Sequence, residues 1–291
     1  MPEGSTNAMK RVMIGLAAVC LLAPGANAQG AGQTRMVNTV KQKLAEGKQV
    51  IGGTVSSSDP DIYCAMANSG FDFLWIEMQH SPLSYHEVAR MVWACRGAQA
   101  IPFIRVPDAT EGDIQKATDL GALGIIIPMV DTLEKAKNGV KFAKYPPIGM
   151  RSQGGGQYGA LWGSDYRRIA NDNIMVVAMV ENPAGVAIAD QLAALPGVDV
   201  VFVASTDLSS FSGLKQGDPK YEELAANTRD ATLRAGKKVG GPLAWKERQG
   251  YHFFQAPGET AIIRAGARVV LGGAPETGRR GVAPTEGSEP K

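Results

Sequence analysis

Two apolar stretches anchor the interpretation of this chain: IMVVAMVE at residues 174–181 and VDVVFVASTD at residues 198–207. Their uninterrupted, largely β-branched character is typical of strands buried on both faces of a parallel sheet. The first run ends in Glu181, and the second is followed by Asp207. A carboxylate placed directly after a buried strand is costly unless it meets a cation or a donor. The two acids therefore indicate a site for a divalent cation that prefers oxygen ligands.

The same pattern extends outward from these stretches over most of the chain. Short apolar runs alternate with amphipathic helical patterns from residue 50 onward. Eight strands with helices between them predict a parallel (β/α)8 TIM barrel. A doubly wound sheet is the alternative, but no glycine-rich phosphate turn follows the first strand. The predicted strands are 50–55, 71–76, 101–106, 124–128, 174–180, 198–203, 238–241 and 268–271, and helical patterns cover 85–95, 111–120, 133–142 and 221–235.

Two segments interrupt this alternation. Residues 145–168 are rich in glycine and aromatic residues, and we interpret them as a long loop at the C-terminal end of a strand, forming a lid or a site wall. Residues 272–291 contain glycine, proline and charge without a helical pattern. The last outer helix is therefore expected to be truncated, which leaves one face of the barrel to be covered by a neighbouring subunit.

Length and composition fit a soluble globular protein with one large α/β domain or two small ones. The chain has 291 residues, of which 44% are hydrophobic and 20% charged. Its formal net charge of +2 gives no reason to expect nucleic acid or an anionic membrane as a partner. We divide the sequence into a leader at 1–28, a barrel domain at 29–273 and a flexible tail at 274–291.

The leader has the features of a signal peptide. Basic residues at 10–11 precede an apolar stretch at 12–22, and the Ala-Asn-Ala sequence at 26–28 predicts cleavage before Gln29. Residues 1–8 resemble added sequence, and a tag-derived leader is the alternative. We expect an exported, periplasmic protein with no membrane contact after processing. In an oxidising compartment Cys64 and Cys95 could pair, although unpaired core cysteines are the more common case.

Several polar residues fall where the predicted strands end. They are Glu77 and His80, Arg105, Glu181 and Asp207, and the active site of such a barrel lies at these strand ends. Each residue also has a simpler explanation. Asp207 could cap a helix, Glu181 could pair with a surface cation, Arg105 could pair with Asp108 or Glu77, and His80 could be a structural turn residue.

Over roughly residues 50–273 the chain resembles the HpcH/HpaI aldolase family, the metal-dependent class II pyruvate aldolases. The order of several fragments carries the resemblance more than any single one. These fragments are FDFLWIEMQHSPL (71–83), IRVP (104–107), DLGA (119–122), IPMV (127–130), YPPIGMRS (145–152), PGVD (196–199) and DLS (207–209).

The resemblance implies roles for the residues at the strand ends. Glu181 and Asp207 match the family's metal ligands, which implies Mg²⁺ or Mn²⁺ and, less commonly, Co²⁺ as the cofactor. His80 matches the catalytic base, and Arg105 the residue that binds the keto acid and steadies its enolate. Glu77 takes the place of an acid that orients the histidine.

Further residues are expected to contact substrate or a second subunit. Ser205 and Thr206 precede the second metal ligand and are expected to bind substrate. Asp119 matches an acid that the family can contribute across a subunit interface. The resemblance thus also implies a homo-oligomer, a trimer or a hexamer.

The chemistry of these side chains agrees with such a role. A 2-oxo acid can chelate a divalent cation through its carboxylate and its keto oxygen, and a Lewis acid there stabilises the enolate formed when the C3–C4 bond breaks. A positioned imidazole could take the proton of the C4 hydroxyl, and an arginine offers a planar fork to the oxyanion. We therefore expect cleavage of a 4-hydroxy-2-oxo acid to pyruvate, or a related 2-oxo acid, and an aldehyde.

Three departures from the family pattern leave the substrate open. Met179 stands where these aldolases usually carry glutamine, Gln79 where they carry glutamate, and Ala204-Ser205 where they carry Gly-Pro. Two other functions therefore compete with the lyase. One is a related superfamily decarboxylase or thioester lyase, although no basic patch for coenzyme A is evident. The other is an exported protein that binds metal and 2-oxo acid without turnover.

Overall fold

Eight parallel strands form a closed barrel in chain order, so the predicted (β/α)8 architecture is confirmed. The computed structural model describes residues 34–273, and the predicted leader and tail lie outside them. The described part of the barrel domain begins with a helix that precedes the first strand. The strands are β1 (Val50–Val55), β2 (Phe73–Glu77), β3 (Ile101–Arg105), β4 (Gly124–Ile127), β5 (Met175–Val180), β6 (Val200–Val203), β7 (Lys238–Pro242) and β8 (Tyr251–Gly258).

The central strands are buried on both faces, as their apolar runs predict. Every residue of β2 to β6 is buried. Met179 of β5 lies opposite Phe202 of β6, and Glu77 of β2 lies opposite Arg105 of β3. Because all strands are parallel, the residues that follow them meet at one end of the barrel, which we call the mouth.

The outer layer consists of helices whose apolar faces pack on the barrel. The four predicted helices are confirmed to within two residues at each end, and α3 begins with a capping box between Ser84 and Glu87. No helix within residues 34–273 is long and apolar enough to cross a membrane. The helices are α1 (Thr39–Ala45), α2 (Pro60–Ala67), α3 (Tyr85–Ala94), α4 (Glu111–Asp119), α5 (Leu133–Ala143), α6 (Tyr158–Trp162), α7 (Tyr166–Asn173), α8 (Pro183–Ala187), α9 (Ala189–Ala194), α10 (Ser205–Ser212), α11 (Pro219–Arg234) and α12 (Glu259–Val270).

The prediction for the last strand and the truncated helix is wrong. The eighth strand lies at Tyr251–Gly258, and the run at 268–271 belongs to α12 and its C-cap. His252, Gln255 and Pro257 interrupt the true strand, so it lacks a continuous apolar signal. The barrel therefore has its eighth helix, although α12 buries little of itself. Its exposed apolar side chains are Ile262, Ile263, Val269 and Val270, with Leu271 directly after it.

The interpretation of residues 145–168 as a lid after a strand is also wrong. This segment follows α5 and precedes β5, so it lies at the end of the barrel opposite to the mouth, and part of it forms α6 and α7. Its contacts are with the N-terminal side of β4. Trp162 Nε1 donates a hydrogen bond of 2.8 Å to the carbonyl of Gly121, and Gln157 Nε2 one of 2.8 Å to that of Leu120.

Cys64 and Cys95 form a disulfide, contrary to the expectation of unpaired core cysteines. Cys64 lies in α2 and Cys95 directly follows α3, and their Cα atoms are 5.3 Å apart. The two helices are neighbours on the outside of the barrel, which brings the two Cα atoms to a separation that a disulfide can span.

Candidate functional site

Glu181 and Asp207 meet at the mouth of the barrel. Glu181 directly follows β5, and Asp207 lies in the first turn of α10, which follows the neighbouring strand β6. Glu181 is almost completely buried. Burial raises its pKa to about 7, and the charge of Asp207 and a hydrogen bond between the two carboxyl groups act in the same direction. The two carboxyl groups are therefore close enough that it is unfavourable for both to be ionised at the same time.

The backbone of Met129 holds the Glu181 carboxylate in place. Its N–H donates a hydrogen bond of 2.9 Å to Glu181 Oε1 and opposes the rise in the pKa of that group. Met129 follows β4, and its φ of 51° lies in the left-handed region that residues other than glycine rarely adopt. Such backbone strain is concentrated at functional sites, where the surrounding structure maintains it.

The acidic pair fits a divalent cation. A cation between two carboxylates neutralises their mutual repulsion, which adds to burial in raising the Glu181 pKa, and oxygen ligands suit Mg²⁺ and Mn²⁺. Residues 34–273 contain no group of three or more His, Cys, Asp or Glu side chains arranged to hold a metal. The protein would therefore supply two ligands and leave the other positions to substrate and water, as Mg²⁺ sites commonly do.

Arg105 lies beside this pair in a fixed orientation. Its Nε is 2.6 Å from Glu77 Oε2, which also accepts a hydrogen bond of 3.2 Å from Trp75 Nε1. The guanidinium lies over the Trp75 ring at 5.9 Å, and Nη1 contacts the sulfur of Met179 at 3.8 Å. Glu77 is thus the partner of Arg105, whereas Asp108 pairs with Lys135.

Glu77 also fixes the turn that carries His80. Its Oε1 accepts the N–H groups of Gln79 at 2.9 Å and His80 at 3.0 Å, and the Ser81 hydroxyl donates to its carbonyl. The His80 side chain is exposed at the mouth, and no hydrogen bond joins its ring to another residue in the described range. Glu77 therefore positions His80 through the main chain and not through the imidazole.

Ser205 and Thr206 form the first turn of α10 together with Asp207. The N-cap residue is Ala204, and no side chain caps this helix, so Asp207 does not serve as its cap. Ser205 is buried and its carbonyl accepts the Tyr221 hydroxyl at 2.9 Å, while Thr206 is exposed. The uncapped N–H groups of this turn are available to an anion at the mouth.

Asp119 lies at the end of the barrel opposite to the mouth, because it ends α4 just before β4. It ends α4 and binds the Arg151 guanidinium at 2.9 Å and the Gln115 amide at 2.8 Å. Arg151 is buried among the rings of Tyr145, Tyr158 and Tyr166. Asp119 therefore takes no part in the mouth of its own chain.

A buried lysine at that same end is also remote from the mouth. Lys144 directly follows α5, and its ammonium donates to the carbonyls of Asn171, at 2.8 Å, and Ile174. Burial lowers its pKa to about 8. Its partners are main-chain carbonyls at the N-terminal side of β5, so this lysine has a structural role.

Three contributors to the mouth escape sequence reasoning. Trp75 lies two residues before Glu77 and hence on the same face of β2, which is the only signal that pointed to it. Met129 acts through its backbone. Glu259, the first residue of α12, is buried and accepts the Ser56 N–H at 3.1 and 3.2 Å. A correct assignment of β8 would have placed Glu259 at a strand end.

A parallel barrel that gathers two acids, an arginine and a histidine at the C-terminal ends of its strands has the architecture of an enzyme. The chain belongs to the HpcH/HpaI aldolase/citrate lyase family, whose profile matches residues 53–260. The family resemblance of the sequence is thereby confirmed, and the chain is a member of a family of carbon–carbon lyases.

Individual relatives support this assignment. A hydroxypyruvate/pyruvate aldolase of Rhizorhabdus wittichii is 31% identical over 245 residues, which cover 81% of this chain and 98% of the relative. A 4-hydroxy-2-oxovalerate aldolase of Novosphingobium aromaticivorans is 32% identical over 220 residues, covering 73% and 82%. The crystal structure of an HpcH/HpaI aldolase/citrate lyase family protein from Burkholderia cenocepacia matches with a TM-score of 0.74 at 28% identity, covering 81% and 98%.

Proposed function

We propose that this enzyme is a divalent-metal-dependent lyase that cleaves a 4-hydroxy-2-oxo acid to pyruvate, or a related 2-oxo acid, and an aldehyde. The observation that carries the proposal is the hydrogen-bonded contact between buried Glu181 and half-buried Asp207, where burial and this contact raise the Glu181 pKa to about 7. A bound Mg²⁺ or Mn²⁺, with Co²⁺ as a further candidate, would supply Lewis acidity toward the 2-oxo group.

The side chains of the mouth supply the remaining chemistry. Arg105, held by Glu77 and Trp75, donates to the oxyanion that develops on the substrate. The N–H groups that open α10 at Ser205 and Thr206 accommodate the substrate carboxylate. His80 accepts the proton of the C4 hydroxyl, directly or through a water. The C3–C4 bond then breaks, its electron pair passes into the enolate, the aldehyde leaves, and C3 takes up a proton to give pyruvate.

Pyruvate release from a panel of 4-hydroxy-2-oxo acids tests this function. Activity should disappear with EDTA and return with Mg²⁺ or Mn²⁺, and it should be lost in Glu181→Ala. Metal-dependent binding of pyruvate or oxalate without turnover would instead identify a binding protein. Turnover only of a substrate that loses CO₂ or a thioester would identify another enzyme of the superfamily.

We also propose that the protein is exported to the periplasm. The leader pattern motivates this proposal, and the Cys64–Cys95 disulfide supports it because such bonds persist mainly in oxidising compartments. Expression of the full chain followed by fractionation and N-terminal sequencing tests the location, and recovery in the cytoplasm with an intact leader would contradict it.

A homo-oligomer is the third part of the proposal. The apolar side chains that α12 exposes support it, since a patch of this kind on a surface helix usually marks an interaction site. We propose that the exposed apolar face of α12 packs against a second copy of the chain. In such an oligomer, we propose that Asp119 contributes to the interface with a second subunit.

A further inference from the structure

Phe211 is an exposed aromatic residue next to the acidic pair. It lies in α10, one helical turn after Asp207, and 56% of it is exposed. Within residues 34–273 no other aromatic ring and no cationic group packs against its ring. A single exposed apolar side chain is common on protein surfaces, so the informative feature is the position of this ring beside the candidate site.

The geometry of α10 directs the Phe211 side chain toward the mouth. Residues four positions apart lie on the same face of a helix, with Cβ atoms about 5–6 Å apart. Asp207 contacts Glu181 from that face, whereas Ser205 and Leu208 lie on the buried face of α10. Because helical side chains lean toward the N-terminus of their helix, the Phe211 ring lies over the turn that carries Asp207.

Hydrogen bonds hold this helix in place on the barrel. The Tyr221 hydroxyl donates to the carbonyl of Ser205 at 2.9 Å, and the Ser212 hydroxyl donates to the carbonyl of Leu208 at 2.5 Å. Leu208 itself is completely buried. The main chain of Phe211 is thus fixed before any ligand arrives, which lowers the entropy cost of binding a ligand against its ring.

The proposed reaction leaves one part of the substrate without a partner. Glu181, Asp207 and Arg105 serve the carboxylate and the oxo group, and His80 serves the C4 hydroxyl. The substituent on C4 becomes the body of the released aldehyde, and none of these four polar side chains offers it an apolar contact. The ring of Phe211 supplies aromatic surface at this position, and a contact between two rings adds to the effect of burying apolar area.

We propose that Phe211 is a specificity-determining residue that packs against an apolar substituent on C4, so that the enzyme favours substrates that release an aromatic aldehyde over those that release acetaldehyde. This inference rests on the proposed lyase function and names the class of its aldehyde product. The substituent takes no part in the bond cleavage, so the contact should change KM more than kcat.

Binding of unreactive 2-oxo acids tests the inference apart from catalysis. The compounds 2-oxo-4-phenylbutanoate and 2-oxopentanoate carry a phenyl and a methyl group on C4, and neither has the C4 hydroxyl that cleavage requires. In calorimetric titrations with Mg²⁺ present, the phenyl compound should bind about tenfold more tightly than the methyl compound. In Phe211→Ala the ratio should fall to roughly twofold, and Phe211→Tyr, which keeps the ring, should preserve it.

An exposed aromatic residue far from the mouth provides the matched control. Trp93 is 43% exposed in the last turn of α3, at the end of the barrel opposite to the mouth, so Trp93→Ala should leave the ratio unaltered. Equal affinities of the wild type for the two compounds, an unchanged ratio in Phe211→Ala, or an equal loss for both compounds would overturn the role of Phe211. If the wild type binds neither these compounds nor pyruvate with Mg²⁺, Mn²⁺ or Co²⁺, the proposed function itself fails.

Discussion

Glu77 Oε2 lies 2.6 Å from Arg105 Nε, and both side chains are more than nine-tenths buried. The pairing of β2 with β3 places the two residues side by side at the last position of each strand. A buried ion pair repays its desolvation poorly, so its presence here is better explained by orientation than by stability. Glu77 aims the guanidinium with one carboxylate oxygen and fixes the Gln79–His80 turn with the other.

Replacing Glu77 by glutamine should damage both stability and activity. The change keeps the shape of the side chain but leaves Arg105 as a buried, unpaired charge. We expect a loss of about 3 kcal/mol in the free energy of unfolding and roughly a 100-fold fall in kcat/KM. Denaturant titration and steady-state kinetics measure these effects. Glu134→Gln, at an exposed position of α5, is the control, and equal kcat/KM in both variants would refute the orienting role.

The Glu181 pKa predicts how the metal-free protein responds to pH. Folding raises this pKa from 4.5 to about 7, so the folded protein holds the proton more tightly than the unfolded chain. Below about pH 4.5 Glu181 is protonated in both states and does not affect the free energy of unfolding. As the pH rises from 4.5 toward and through 7, the unfolded chain ionises first, and the free energy of unfolding falls. Added Mg²⁺ or Mn²⁺ should therefore raise Tm more at pH 8 than at pH 5.5, because protons compete for the same carboxylate.

Glu181→Gln separates this effect from other titrations. The amide cannot ionise, so the metal-free variant should be about 1–3 kcal/mol more stable than the wild type at pH 8 and no more stable at pH 4.5. It should also lose the metal-induced rise in Tm. Thermal unfolding at both pH values, with and without metal, gives the answer, and a variant that is less stable at pH 8 would contradict the assignment.

The sequence predicts the residues of the candidate site better than it predicts the last strand and the last helix of the barrel. β5 and β6 were identifiable because both faces of these strands are buried, and the acids after them follow from the topology. β8 was not, since His252 and Gln255 break its apolar run, whereas the β-branched pair at the end of α12 resembles a strand. The backbone of Met129 was beyond sequence reasoning, because no side-chain pattern signals its φ of 51°.

Met179 should control the substrate preference of the enzyme. Its thioether contacts Arg105 Nη1 at 3.8 Å, and sulfur is a weak acceptor. Met179→Gln would place an amide oxygen near the guanidinium and is expected to raise kcat/KM for simple 4-hydroxy-2-oxo acids several-fold. Met179→Leu, which changes the packing but adds no acceptor, is the control. A decrease in the glutamine variant would show that this position serves a different substrate.

The exposed face of α12 predicts a self-association that charge can disrupt. Ile263 and Val270 are 56% and 85% exposed. Replacing both by glutamate should convert the oligomer to monomers at micromolar concentration, because a charge buried in an apolar contact is strongly unfavourable. Light scattering after gel filtration measures the mass. Thr260→Glu, which adds one charge at an exposed polar position of α12, should leave the oligomer intact, and a wild-type monomer would refute the proposal.

The Cys64–Cys95 bond should contribute measurably to stability. It joins residues 31 positions apart, and closing a loop of that length is worth about 2–4 kcal/mol. The double variant Cys64→Ser/Cys95→Ser should therefore unfold at lower denaturant concentration, and a reducing agent should lower the midpoint of the wild type alone. Because Cys20 falls in the predicted leader, processed protein should contain no free thiol. Two free thiols in the purified protein would show that the bond does not form, and equal midpoints in both proteins would show that it does not stabilise the fold.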